Sequence, residues 1–198
     1  FEGLYRRALF VTKRDKAAAH AAKKRYALAD YDNHLTIVGF EYVRRDHSLI
    51  AREVQKKVLE EVLVHGNPKK AHDLVKDTIA RLRAGKVPKK ELVILTQLQR
   101  RPESYAQMAP HVSAALKAQK RGKDINVGQI LGFIITSKGK SISEKAELEE
   151  FVKEGDYDPE YYIHNQIIPA VEKIFAELGY TTSDLINAGK QTGLSAFV

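Results

Sequence analysis

Cysteine is absent from the 198 residues, which excludes disulfides and thiolate zinc sites and suits a reducing compartment. No apolar run approaches the length of a membrane span, and the opening FEGLYRRALF is too short and too charged for a signal peptide. The 7 histidines are scattered without paired ligand spacing, so no structural metal is expected. Neither a serine–histidine arrangement nor a glycine-rich phosphate loop occurs, and no internal repeat is present. The chain begins at Phe1 rather than methionine, so its natural start is expected upstream.

What is present is an ordinary globular balance, 43% hydrophobic and 29% charged residues, so disorder is not the default. The length suits one domain, or one domain plus a fragment of another. Charge is unevenly spread. Residues 1–143 hold 29 basic against 14 acidic side chains, and residues 144–198 hold 4 against 11. A basic body with an acidic end suits a polyanion partner for the body and a different task for the tail; the plainer alternative is an unevenly charged solvated surface.

The spacing predicts strands first. Leu4-Tyr5 with Ala8 to Val11, Tyr26 to Ala29, and Leu35 to Val38 with Phe40 to Val43 are apolar and β-favouring, and Tyr31 to His34 has turn composition. The basic, alanine-rich stretch 13–22 reads as a loop or a short helix, with loop preferred. From Asp46 the period changes: Ile50, Val54, Val58 and Val62, flanked by Leu59 and Leu63, mark one helical face, with Asp46 as its cap and Gly66 as its stop. Asn67-Pro68 opens a second helix with a stripe of Ala71, Leu74, Val75, Ile79 and Leu82, and the short turn makes the pair antiparallel. A third helix is predicted over 110–121 and a strand over 129–136. Residues 137–156 read mainly as loop, with a short helix near Ala146 to Val152 as the alternative there. Asp158-Pro159 opens a further helix in which Pro169 forces a kink or break, and 181–187 forms a last short helix.

Several segments, in order, resemble the family B DNA polymerases, the archaeal ones most: FEGLYRRALFVT with KKRYAL, GFEYVRRDHSLIAREVQKKVLE, a stretch ending SYAQMAPHVSAA, YDPEYYIHNQIIPAVEKIF, and KQTGLSAF. The similarity spans nearly the whole chain. It implies an α+β fold in which residues 1–45 are N-terminal β-strands completing a palm sheet, and residues 46–198 are a mainly helical thumb domain with an antiparallel helical hairpin. Nothing here resembles the family's tyrosine–aspartate–threonine–aspartate signature. Two-metal nucleotidyl transfer needs clustered carboxylates, and the only close acidic pair among the strands, Asp30 and Asp32, sits beside a turn. The chain therefore looks like the small subunit of a split polymerase, with no cofactor of its own and Mg2+ expected in the large subunit.

The resemblance also implies DNA contacts. Lys23, Lys24, Arg25 and Tyr26 match the family's lysine–x–tyrosine motif near the primer end, where purine N3 and pyrimidine O2 offer a lysine acceptors whatever the sequence. Alternation puts Lys24 and Tyr26 on one face and Arg25 on the other; a basic strand edge that discourages aggregation is the alternative. Arg44 and Arg45 match an arginine pair facing the primer backbone, against a simple solvated helix start. Arg100 and His111 match positions near the backbone, and Asn165 and Gln166 match polar positions facing the primer strand, against interior amides satisfied by the main chain. Tyr162 and Ile163 read as core. Gln99, Ala106 and Val38 depart from the family's threonine, lysine and arginine, and Lys13, Arg14 and Lys16 are offered as compensation. Asp156 to Glu160 has a faint calcium-loop look without the glycine, and capping by Asp158 explains it better.

The expected function is thus the thumb subunit of a DNA-directed DNA polymerase, inactive alone, gripping primer–template duplex. The expected partners are a large subunit, DNA and, as a further candidate, a sliding clamp, with no membrane and a cytoplasmic, nucleoid-associated location. The alternative is a stand-alone duplex-binding protein, in which residues 1–43 would have a complete core of their own.

Overall fold

The computed structural model describes residues 3–11 and 25–186. The stretch 13–22, Lys23, Lys24 and the KQTGLSAF segment lie outside the described residues. In chain order the elements are β1 (Tyr5–Phe10), β2 (Tyr26–Asp30), β3 (Leu35–Val38), α1 (Leu49–Leu63), α2 (Pro68–Arg83), α3 (Lys89–Leu92), β4 (Ile94–Gln97), α4 (Pro110–Lys120), β5 (Ile130–Ile135), α5 (Ile142–Lys145), β6 (Ala146–Leu148), α6 (Pro159–Tyr162), α7 (Ile168–Glu177) and α8 (Thr182–Ile186). The fold is α+β, with two antiparallel three-stranded sheets, β1-β2-β3 and β4-β5-β6.

Strand pairing sorts the first sheet into two faces. Leu9 stands opposite Ala27, which stands opposite Ile37, while Phe10 stands opposite Tyr26 and Tyr26 opposite Val38. The small buried Ala27 and Ala29 let α1 approach the first of these faces, together with Leu9. The other face, with Phe10 61% exposed, is apolar and uncovered by the described residues. The β2–β3 turn is built by Asp30, whose carboxylate accepts from the Asp32 and His34 amides, and Asn33 takes a positive φ there.

α1 and α2 pack as the predicted antiparallel hairpin. Gly66 takes φ +66° to end the first turn of the connection, and Asn67 accepts from the Lys70 amide ahead of Pro68. Arg7 reaches across from β1 and donates to Leu63 O and Val64 O, satisfying carbonyls that the end of α1 leaves open. Tyrosine hydroxyls then tie the second sheet and its loops to the helices. Tyr162 Oη donates to Leu92 O and accepts from the Ile135 amide, and Tyr157 Oη donates to Leu82 O.

Three expectations are corrected. Phe40 to Val43 is not a strand: Glu41–Val43 forms a 3₁₀ turn whose Tyr42 N–H is taken by the Gln55 side chain. Asp46 does not cap α1. Its carboxylate is held by Arg44, and the helix begins after Ser48. Residues 137–156 are not mainly loop, because Ile142–Lys145 turns and Ala146–Leu148 pairs with Phe133 to Ile135. The acidic end folds back on the basic body in its first part. Glu147 pairs with Lys117 and Arg121, Glu150 with Lys123, Asp156 with Lys138, Asp158 with Lys145 and Glu160 with Arg83. The break expected at Pro169 takes the form of a π-helical turn over Ile163–Ile167, in which the Ile168 N–H reaches Ile163 O. Proline lacks the N–H that would reach the carbonyl four residues back, and a widened turn accommodates that loss.

Candidate nucleic-acid interface

The residues preceding α1 meet the outer edge of the second sheet around an open cleft of about 420 Å3. Arg44, Arg45 and Asp46 form one wall, and Thr96, Gln97, Gln99 and Ile130 contribute to the other. The two arginines differ. Arg44 donates through Nε and Nη2 to both oxygens of Asp46, at 2.9 and 2.5 Å. That contact holds the Asp46 carboxyl below the usual carboxylate range and raises the guanidinium in turn. Arg45 is exposed and pairs with no carboxylate among the described residues.

Beside the cleft, Tyr105 organises the loop after β4. Its hydroxyl accepts from the Gln99 amide, and its ring meets His111 edge-on at 5.6 Å. Arg100, between these anchors, is exposed. Burial pushes the His111 imidazole below its ordinary value, so at neutral pH it offers a neutral donor or acceptor rather than a cation.

The π-helical turn is joined to the same region. Gln166 is 5% exposed, and its Oε1 accepts from Ser48 N–H and Oγ–H at 2.9 and 3.2 Å. It takes the interior-amide alternative, and its role is to dock this turn against the start of α1. Asn165, one residue earlier, is exposed.

Arg25 and Tyr26 diverge as alternation predicts. Tyr26 lies half-buried on the uncovered face, 6.0 Å from the ring of Phe10. Arg25 turns the other way and pairs with the buried Glu41 at 2.9 Å, so its guanidinium is occupied within the chain. The structure thus places Arg44 and Arg45 on the cleft wall, Arg100 on the loop after β4 and His111 at the start of α4, joins the π-helical turn to Ser48 through Gln166, and commits Arg25 and Gln166 to partners within the chain. Sequence reasoning passed over Thr96 and Gln97 on the cleft wall and Gln55 at the sheet–helix junction. Gln55 had left one signal, an amide on the apolar stripe between Ala51 and Leu59.

Asp30, Asp32 and His34 form the one cluster of three potential metal ligands among the described residues. It does not fit a catalytic ion pair. Both Asp30 oxygens are taken, one by the Asp32 and His34 amides and the other by His34 Nδ1, and the cluster stands exposed at a turn rather than in a shaped cavity.

Among known proteins, the model of DNA polymerase family B matches residues 1–178. The DNA polymerase of Methanocaldococcus jannaschii is 44% identical over 197 residues, covering 100% of this chain and 11% of that protein. The DNA polymerase of Pyrococcus horikoshii is 40% identical over 201 residues, covering 100% and 16%, and that of Pyrococcus glycovorans is 40% identical, covering 100% and 25%. The solved family B DNA polymerase of the hyperthermophilic archaeon Pyrobaculum calidifontis superposes with a TM-score of 0.72 at 32% identity, over 87% of this chain and 22% of that one. An α+β chain with an arginine-walled cleft, matched along most of its length, leaves one assignment: the chain belongs to DNA polymerase family B. It spans between 11% and 25% of the length of these curated relatives.

Proposed function

We propose that the chain is the duplex-gripping part of a DNA-directed DNA polymerase, with palm strands in residues 1–45 and a thumb in residues 46–198. The observation that carries this reading is the cleft where Arg44 and Arg45 face the polar edge of β4. Guanidinium forks suit phosphate oxygens, and contacts of that kind fix register without reading sequence. In this reading Arg45, Arg100, His111 and Asn165 meet the primer–template backbone, and Arg44, paired with Asp46, stands in reserve beside them. Lys23, Lys24 and Tyr26 meet the minor groove near the primer end, and Arg25 and Gln166 support the others from inside.

We further infer that the catalytic carboxylates and their Mg2+ belong to a separate large subunit, in a heterodimer acting at the nucleoid, where a sliding clamp is a further partner. The uncovered face of the first sheet supports this: Phe10, Tyr26, Leu28 and Val38 lie on it, and an apolar sheet face calls for a covering layer.

Primer extension tests the reading. The purified chain alone is expected to bind primer–template and extend nothing, and extension is expected when the carboxylate-bearing polypeptide is added. Extension by this chain alone overturns the division of labour. A monomer whose residues 1–43 resist amide exchange as strongly as α1 without any partner favours the stand-alone duplex-binding protein.

A further inference from the structure

Where the first sheet meets the helices, the apolar contact of Leu9, Ala27 and Ala29 with α1 is accompanied by a buried polar network. Arg25 Nη2 lies 2.9 Å from Glu41 Oε1. The other Glu41 oxygen accepts from Gln55 Nε2 at 2.8 Å, and the same nitrogen also donates to Ala170 O in α7. Gln55 Oε1 accepts from the Tyr42 amide at 2.7 Å, and Arg52 Nε donates to the Tyr42 carbonyl at 2.9 Å. Gln55 is fully buried and Glu41 is 6% exposed. One amide in the middle of α1 therefore holds the strand that carries Tyr26, the 3₁₀ turn leading to Arg44 and the helix after the π-helical turn.

The apolar contact alone would hold the parts together but let them slide. Hydrogen bonds and an ion pair admit one arrangement, because any other leaves a buried charge without its partner. We propose that Arg25, Glu41 and Gln55 form a latch fixing the angle at which the helical part stands on the first sheet, so that both engage one duplex together. Arg25 is then a positioning residue rather than a DNA contact. The inference rests on the duplex-gripping reading and deepens it: affinity comes partly from preorganisation, since a grip already at the right angle loses less freedom on binding.

The test uses the full chain and a fluorescein-labelled primer–template, with Kd read by anisotropy across a salt series. Glu41→Gln and Gln55→Leu are expected to raise Kd about 10-fold while leaving the slope of log Kd against log salt unchanged, because no phosphate contact is removed. The paired variant Arg25→Gln with Glu41→Gln, which restores a neutral hydrogen-bonding pair, is expected to recover most of that loss at the same slope. A slope reduced by about 0.9 in the paired variant means that Arg25 touches phosphate, and the latch is wrong. Unchanged Kd in folded Glu41→Gln and Gln55→Leu means that the network serves folding alone, which also overturns it. Should Glu41→Gln not fold by circular dichroism, the paired variant, which leaves no lone buried charge, carries the comparison. Arg44→Ala with Arg45→Ala is the separate control, and an unaltered slope there sinks the duplex reading itself.

Discussion

Asp46 is the acidic member of the arginine wall, and in the duplex-gripping role proposed above it acts as a brake on DNA binding. The Arg44–Asp46 pair is half exposed, with side chains 47% and 51% accessible. A pair of that exposure is worth about 0.2–1 kcal/mol, which Arg44 must give up before it reaches a phosphate. Asp46→Asn is therefore expected to tighten duplex binding by about 1.4- to 5-fold, at roughly 1.4 kcal/mol per decade. It should also steepen the salt slope by about 0.9 if Arg44 then neutralises one more phosphate. Because Asp46 does not cap α1, the unfolding free energy should fall by no more than the pair itself contributes, about 1 kcal/mol at most. The assay is a double-mutant cycle in salt-series anisotropy. Arg44→Ala should change little in the parent but cost about 0.9 of slope in the Asp46→Asn background, whereas Arg45→Ala should cost that in both. Weaker binding by Asp46→Asn, or equal slope losses for Arg44→Ala and Arg45→Ala in the parent, would refute the reasoning.

Two further outcomes are expected from the interior. Tyr162→Phe removes a hydroxyl that serves Leu92 O and the Ile135 amide in a fully buried site, so urea unfolding should show a loss of roughly 2–4 kcal/mol at unchanged m; a loss below about 0.5 kcal/mol would mean that water reaches those groups. Burial lowers both His47 and His111 from their ordinary value of 6.5. The unfolded chain then binds more protons than the folded one just below that pH, so stability is complete above it and falls as pH drops through that window. Urea midpoints between about pH 5 and 8 should follow this course, and His47→Phe should flatten it.

The sequence was most legible where one local rule decided the outcome. The four-residue period of α1, the Asn67-Pro68 opening and the apolar run of β5 each carry their own signal, and alternation alone turned Arg25 away from Tyr26. Legibility failed where a distant partner decides. β4 is four residues, Ile94–Gln97, and becomes a strand only by pairing with Ile130 to Phe133. β6 is Ala-Glu-Leu, a helix-favouring triplet drawn into the sheet by Phe133 and Ile135. Asp46 looked like a cap because capping is judged from neighbours, but the Ser48 amide is claimed by Gln166, 118 residues away. The arginine wall was legible in sequence. Its opposite wall on β4 was not, since nothing local says that Thr96 and Gln97 face residues 44–46.

The charge pattern shows why net charge misjudges such a surface. Residues 144–198 hold 11 acidic side chains against 4 basic, yet Glu147, Glu150, Asp156, Asp158 and Glu160 are each committed to a lysine or arginine of residues 83–145. These pairs are partly exposed and add little stability singly. They do give Arg83, Lys117, Arg121, Lys123, Lys138 and Lys145 carboxylate partners that a phosphate would have to displace. What stays uncommitted around the cleft is Arg45 and Arg100, with Arg44 held in reserve by Asp46. The acidic end thus works on the basic body by subtraction. In the proposed reading a polyanion then meets fewer free cations along residues 83–145, while Arg45 and Arg100 stay open beside the cleft.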